Sequence, residues 1–270
     1  MLGKLLKHEI RHSARYNFII LIATVAVTAI VGLSLLSDSV LLAVFACLAL
    51  GVTGVATVIV TLVSVIKNFY DTIYGRQGYL TLTLPVKGSQ VLFSKVLISF
   101  MWVIVGFLAM AVPYVLIFLY AKVKVSTLTD MFESLLSSLL NMLPEPKIII
   151  SGLIMVVVLA IATVLTYVGY IYFSVTIANT RAFQNHPVLF GGLTFFGLSL
   201  VVSQVGNLIG NVIPLHFVVT LEKAYISFQP VEEILGGLPF PIGGTLFKGV
   251  VALGLLFATG YIIENKVNIK

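Results

Sequence analysis

Six uninterrupted apolar runs dominate this chain and limit what it can fold into. A helix needs about 20 apolar residues to cross a hydrocarbon core roughly 30 Å thick, and each run is close to or above that length. The runs are continuous and do not alternate, which is typical of helices and not of barrel strands. The sequence therefore predicts an all-α, polytopic membrane protein: a single transmembrane domain over residues 1–270 with six transmembrane helices. The predicted spans are Phe18–Leu36, Val40–Ile66, Val96–Tyr120, Ile148–Tyr172, Pro187–Ile209 and Leu246–Ile263.

Composition agrees with lipid as the solvent. Of the 270 residues, 59% are hydrophobic and 10% are charged, whereas soluble domains are about half apolar and about a quarter charged. The single cysteine, Cys47, excludes a disulfide within the chain and a zinc site built from several cysteines. The net charge of +6 fits an excess of Lys and Arg on the cytoplasmic side, so we expect no nucleic acid partner.

The distribution of charge predicts the orientation. With the N-terminus inside, the inner segments carry most of the 16 lysines and arginines, and most of the 10 acidic residues lie outside. This is the bias of the positive-inside rule, so both termini are predicted to be cytoplasmic. Compact loops and the absence of an N-x-[ST] sequon favour a multi-pass protein of a bacterial plasma membrane.

The N-terminal segment His8-Glu9-Ile10-Arg11-His12 fits the H-E-x-x-H pattern of zinc proteases. A zinc ion there would lie among four fixed positive charges, with no third ligand close in sequence. The same residues belong to a basic amphipathic helix that has leucines on one side and cations on the other. We therefore predict no metal, and an interfacial elbow helix over residues 1–17 that lies on anionic lipid.

The predicted membrane interior has few groups that could do chemistry. Besides Cys47 and the tyrosines, Lys248 is the only ionisable side chain in the six runs, and it lies near an interface where it can reach water. Secondary transporters commonly bind their ion with a charged side chain at depth or with a broken helix. The residues thus indicate neither ion-coupled transport nor hydrolysis within the bilayer.

Hydroxyl and amide side chains recur on the second and fifth runs. In lipid they need partners, so they are expected to face protein or a wet cavity. One interpretation is a substrate path, and the other is packing within the subunit, with the hydroxyls bonded to the carbonyls of their own helix. The candidate substrate-path residues are Thr53, Thr57, Thr61, Ser203, Gln204 and Asn207.

The inner segment over residues 67–95 is too long and too aromatic for a plain connector. Helical spacing of its aromatic residues predicts a short helix, ended by a left-handed glycine at Gly75 or Gly78. Aromatic residues and Arg are common at interface hot spots, so the segment could dock a cytoplasmic partner. The alternative is a loop packed on its own subunit.

Two outer segments are also distinctive. Residues 121–147 contain an apolar helical face and predict an amphipathic helix on the outer leaflet. Residues 212–245 are mostly apolar but repeatedly broken by Pro and Gly, so they are too broken to span and too apolar for a solvated loop. They predict a re-entrant hairpin that dips into the outer leaflet before the last helix.

The inner segment resembles that of ABC-2-type permeases, the membrane subunits of type V ABC exporters. The matching motifs are Tyr70-Asp71, Gly78-Tyr79-Leu80, Thr83-Leu84-Pro85 and Ser94-Lys95. The resemblance implies an elbow helix, six spans, an inner coupling helix and an outer re-entrant hairpin. The ATPase-coupling residues would be Phe69, Tyr70, Asp71, Ile73, Tyr74, Arg76, Gly78 and Tyr79.

The source of energy must then lie outside this chain. It contains no G-x-x-x-x-G-K-[ST] motif, so we expect no enzymatic activity and no cofactor in the chain itself. The resemblance implies a separate P-loop ATPase subunit in two copies, which holds ATP and Mg, and a second permease subunit, identical or related. The substrate would be amphipathic or hydrophobic, with antimicrobial peptides and antibiotics as candidates.

Two alternatives stay open at this point. A non-transporting membrane scaffold or assembly factor would share the hydropathy without needing a nucleotide partner. A secondary transporter would instead follow an ion gradient.

Overall fold

The computed structural model describes residues 2–36, 40–75, 88–124, 146–181, 185–220, 223–231 and 237–266, together with positions 78 and 183. The described chain is mostly helical and divides into two compact units, Met1–Ser134 and Leu135–Lys270. Unit 1 contains the helices α1 (Leu2–Leu36), α2 (Val40–Ile73) and α3 (Gly88–Lys124). Unit 2 contains α4 (Pro146–Ala178), α5 (Pro187–Val212) and α6 (Gly243–Lys266), with a small sheet between α5 and α6.

Unit 1 is a three-helix bundle in which successive helices run in opposite directions. Near one end Val31 of α1 packs with Leu50 of α2, and further along Asn17 bonds to Ser64. The contacts move toward the N-terminus of α1 as they move toward the C-terminus of α2, so the two helices are antiparallel. Opposite directions in successive helices are what a chain that crosses a bilayer repeatedly requires.

The elbow segment and the predicted first span form one continuous helix, α1. No proline interrupts Leu2–Leu36, and the polar residues Ser13 and Asn17 bond back to carbonyls of the preceding turn without breaking it. The Ile10 side chain is exposed while Glu9 and Ser13 are buried. The predicted apolar stripe of the elbow, where its side chains are described, therefore faces away from the bundle.

In unit 2, α4 contacts both α5 and α6, and α5 contacts α6. Glycine allows the closest approach of α4 and α6: a Cβ atom at Gly169 would lie 3.1 Å from the carbonyl oxygen of Ala252. Helix backbones that meet at small residues are common in membrane bundles. Among the residues of α5, only Val202 and Gly206 are buried, so most of its apolar surface is open.

The segment before α6 is a three-stranded antiparallel sheet, which corrects the all-α prediction. Its strands are β1 (His216–Thr220), β2 (Ala224–Ser227) and β3 (Gly237–Pro241), in the order β2-β1-β3. Pairing satisfies the backbone N–H and C=O groups of an apolar stretch that prolines prevent from forming a helix. Its two prolines suit β3, which is an edge strand.

Five of the described helices are long and apolar enough to cross a membrane: they are Leu48–Ile73, Gln90–Pro113, Ile150–Ala178, Pro187–Val212 and Gly243–Glu264. This supports the coarse prediction of a multi-pass membrane protein. The predicted first span lies in the second half of α1, where the apolar stretch Asn17–Leu33 is shorter than the other five. Most of the predicted outer amphipathic helix, residues 125–145, lies outside the described residues.

Candidate functional site

Four of the eight predicted coupling residues lie on α2 itself and not on a separate short helix. Phe69 and Ile73 are fully buried, at 0% and 1% exposure. They are four residues apart and therefore share one face of the helix, which packs into unit 1. This half of the predicted docking face thus packs on its own subunit, the alternative that the sequence left open.

Tyr70 and Asp71 lie on another side of α2. The Tyr70 side chain is 39% exposed, and Asp71 is half-buried. Tyr74 follows in the turn, with its ring centroid 6.3 Å from that of Phe69 and 6.3 Å from that of Tyr70. The end of α2 therefore has an aromatic surface at Tyr70 and Tyr74, and the buried Phe69 packs against it from the interior of the unit.

α2 ends at Ile73, two residues before the first of the predicted glycines, and neither glycine takes the predicted left-handed conformation. A Cβ atom at Gly75 would lie 2.7 Å from the carbonyl oxygen of Asp71, and one at Gly78 would lie 2.3 Å from that of Ile73. Only glycine fits such close approaches. The predicted coupling residues Arg76 and Tyr79 lie outside the described residues.

Next to the end of α2 lies a buried ion pair between α1 and α3. The Lys95 ammonium donates to the Glu9 carboxylate, with Nζ 2.8 Å from Oε1, and it also donates to the Thr72 hydroxyl of α2. The Lys95 side chain is wholly buried and that of Glu9 nearly so. One group therefore links all three helices of unit 1, at a residue next to the predicted coupling position Ile73.

Further polar contacts extend this buried cluster along the bundle. Trp102 of α3 donates its indole N–H to the Ser13 hydroxyl at 2.8 Å, and Asn17 donates to the Ser64 hydroxyl of α2 at 2.6 Å. We call Glu9, Ser13, Asn17, Ser64, Thr72, Lys95 and Trp102 the polar ladder.

The polar ladder was not predicted, because Lys95 was assigned to the charged inner segment over residues 67–95. In the structure α3 begins seven residues before Lys95, at Gly88, and the lysine side chain is buried. A signal was present in the spacing. Glu9, Ser13 and Asn17 recur every four residues on α1, and Ser64, Asn68 and Thr72 do so on α2. Such stripes on apolar helices indicate faces that meet inside protein.

The polar ladder also gives the H-E-x-x-H segment a role without a metal. Glu9, which would activate water in a zinc protease, is bound to Lys95 and nearly inaccessible. The side chains of His8 and His12 lie outside the described part of the structure. Across the described residues, no group of three His, Cys, Asp or Glu side chains could hold a metal ion.

The predicted substrate-path threonines lie at a helix contact. Thr53, Thr57 and Thr61 each donate to the carbonyl of the preceding turn, with oxygen–oxygen distances of 2.7–3.0 Å. Thr57 and Thr61 are buried, and a Cβ atom at Gly106 of α3 would lie 3.1 Å from the Thr61 hydroxyl oxygen. Thr57 and Thr61 therefore take part in α2–α3 packing, the alternative to a wet path, whereas Thr53 is half-buried.

The second set of predicted path residues lies on α5, in unit 2. Ser203 is half-buried, whereas Gln204 and Asn207 are exposed. Asn207 lines a cavity beside the sheet, together with Lys248 of α6. The polar residues of α5 thus border open space, unlike the threonines of α2.

No protein-family model, no curated protein and no solved structure matches this chain. The resemblance to ABC-2-type permeases therefore rests on the motifs between Tyr70 and Lys95 and on the arrangement of helices.

Proposed function

We propose that this chain is the membrane subunit of an ATP-driven ABC exporter of the ABC-2 type. The observation that carries the proposal is the continuity of α2, which runs unbroken from Val40 through four of the eight predicted coupling residues to Ile73. A coupling segment that is continuous with a transmembrane helix moves with it as a rigid body. A movement of a bound ATPase is then transmitted directly to that helix. No titrating group at depth is needed for such a mechanism.

The contacts around this segment support a mechanical role. Phe69 and Ile73 anchor the end of α2 inside unit 1, and Lys95 ties the adjacent Thr72 to α1 and α3. A displacement at Tyr70 would therefore move three helices together and not bend one. In this scheme the motif Ser94-Lys95 has a structural role, because Lys95 connects the three helices through the polar ladder.

The remaining parts of the proposal follow the charge distribution and the family resemblance. Six spans have both termini in the cytoplasm of a bacterium, cations at the start of α1 meet anionic lipid headgroups, and the sheet segment is the re-entrant outer element. Two ATPase subunits carry ATP and Mg, and a second permease subunit completes the path for an amphipathic or hydrophobic substrate. The open apolar surface of α5 is compatible with contact to lipid or to that subunit.

Affinity purification of the tagged chain from its own membranes in mild detergent tests this proposal. We expect a P-loop ATPase subunit to co-purify in equimolar amount. Tyr70→Ala should weaken its retention at least about tenfold, because truncating a tyrosine at an interface hot spot costs about 2 kcal/mol or more. Phe45→Ala is the matched control, since Phe45 is an exposed aromatic at the opposite end of the same helix.

Two results would count against the proposal. If the chain purifies intact without any P-loop subunit, the scaffold alternative gains support. If Tyr70→Ala and Phe45→Ala retain the ATPase equally well, the end of α2 is not its docking site.

A further inference from the structure

An open groove lies beside the sheet of unit 2, outside the segments that the exporter proposal uses for coupling. Its volume is about 510 Å³, and it is lined by the end of α5, the strands and the first turns of α6. We call it the sheet groove. Its polar lining consists of Asn207, Asn211, His216, Thr245 and Lys248, and no Asp or Glu is among the described residues that line it.

Lys248 supplies a full positive charge to the sheet groove. Its stem crosses α5 at Gly206, where a Cβ atom would lie 2.6 Å from the lysine Cε and 3.2 Å from its Cγ. Gly206 therefore provides the space in which this side chain lies. Helical side chains lean toward the N-terminus of their own helix, so the stem points toward Gly244 and the sheet.

The N-terminus of α6 adds a second source of positive potential. The helix begins at Gly243, and both Gly244 and Thr245 line the sheet groove. Gly244 also permits close packing, since its Cβ would lie 2.7 Å from the carbonyl oxygen of Gly206. The first N–H groups of a helix and its dipole favour an anion at this end.

His216 provides an independent indication of a ligand. Its side chain is 6% exposed yet lines the groove, and its Nδ1 lies 3.0 Å from the carbonyl oxygen of Pro214. A carbonyl only accepts, so Nδ1 carries the hydrogen of this bond. Nε2 is then left for another partner, as acceptor when the ring is neutral or as donor when it is charged.

We propose that the sheet groove binds the phosphate group of an anionic ligand. Lys248 neutralises its charge, the N–H groups of Gly244 and Thr245 and the side-chain amides of Asn207 and Asn211 donate to its oxygens, and His216 contacts it through Nε2. The volume exceeds that of a bare phosphate and suits a headgroup. Val212 and Phe228, which follow or precede groove residues in the sequence, have exposed apolar side chains, as contact with acyl chains would require. A lipid headgroup and free phosphate share this chemistry, and binding measurements distinguish them.

The test uses the purified full-length chain in a neutral detergent. Native mass spectrometry measures binding of dihexanoyl phosphatidylglycerol, of the zwitterionic phosphatidylcholine analogue and of inorganic phosphate. We expect one phosphatidylglycerol to bind in preference to phosphatidylcholine. Lys248→Gln should weaken that binding roughly tenfold, because hydrogen bonds to a charged group are the strong ones. Lys223→Gln should have no effect, since Lys223 is an exposed cation of the same unit that does not line the groove.

Gly206→Ala is a second variant that keeps every charge. The new methyl group would displace the Lys248 side chain, whose Cε would lie 2.6 Å away and whose Cγ would lie 3.2 Å away, while its contact with the carbonyl oxygen of Gly244, at 3.5 Å, is an ordinary one. It should weaken binding as Lys248→Gln does while the protein stays folded by circular dichroism. Inorganic phosphate that binds alone with the same dependence on both variants would make free phosphate the ligand.

The site is absent if neither anion binds, or if Lys248→Gln and Lys223→Gln have equal effects. The anion site does not depend on the exporter proposal, so either proposal can be wrong while the other is right.

Discussion

Lys95 is the residue on which the stability of unit 1 depends most clearly. Its ammonium is buried, and the Glu9 carboxylate lies 2.8 Å away on another helix. Burying two charges costs several kcal/mol per ion, so such a pair contributes little net stability. Removing one partner is a different matter, because the other charge is then buried without compensation.

We expect Lys95→Met to lower the free energy of unfolding by about 3–5 kcal/mol, because Glu9 is left uncompensated. The double variant Glu9→Gln/Lys95→Met should recover most of this loss. Unfolding in detergent can be followed through Trp102, which is the only tryptophan of the chain and part of the polar ladder. Lys7→Met, at an exposed cation of α1, is the control and should change little. A double variant as unstable as Lys95→Met alone would contradict the ion pair.

At this scale the sequence predicted which helix faces carry polar side chains better than it predicted which of those side chains bond to each other. The four-residue spacing of polar side chains on α1 and α2 is visible in the sequence, but Glu9 and Lys95 are 86 positions apart. Which stripe meets which depends on the rotation of three helices about their axes, and that is set by packing. For the same reason the threonine stripe of α2 gave no indication that it faces Gly106.

At the scale of elements, glycine contacts determine how closely the helices of unit 2 pack. Gly244 of α6 lies against the backbone of Gly206, with 2.7 Å from its hypothetical Cβ to the carbonyl oxygen. Gly254 of the same helix would place a Cβ within 4 Å of nothing. The two positions therefore separate the effect of helix packing from that of helix propensity.

Gly244→Ala should destabilise the protein by about 1–3 kcal/mol, because the new methyl group forces α5 and α6 apart. Gly254→Ala should be neutral or stabilising by up to about 1 kcal/mol, since alanine is the better helix former. Thermal unfolding followed by circular dichroism measures both. Equal losses for the two variants would mean that the α5–α6 contact is not formed as described.

The long helices followed from the apolar runs, whereas the sheet did not. α2 and α5 begin at Val40 and Pro187, as predicted, because hydrophobic length and an N-terminal proline are local properties of the chain. The pairing of Phe217 with Phe240 joins residues far apart in sequence. Prolines and glycines showed where helix was impossible, but nothing local selected the strand partners.

At the scale of the whole molecule, the chain combines apolar helices long enough to cross a membrane with a rigid aromatic end on α2 and no nucleotide-binding motif. The proposal of a subunit that is moved by a partner ATPase starts from these features. They fit an ion-driven transporter less well, because the buried charges of unit 1 that the structure describes neutralise each other at the Glu9–Lys95 pair.

The most direct test of ATP-driven export is transport by the chain and its co-purified ATPase in liposomes, with a labelled amphipathic peptide as probe. We predict peptide movement that requires ATP and is lost when the P-loop lysine of the ATPase is replaced. An imposed ion gradient without ATP should drive none. Peptide transport by the chain alone, following an ion gradient in ATP-free liposomes, would contradict the proposal.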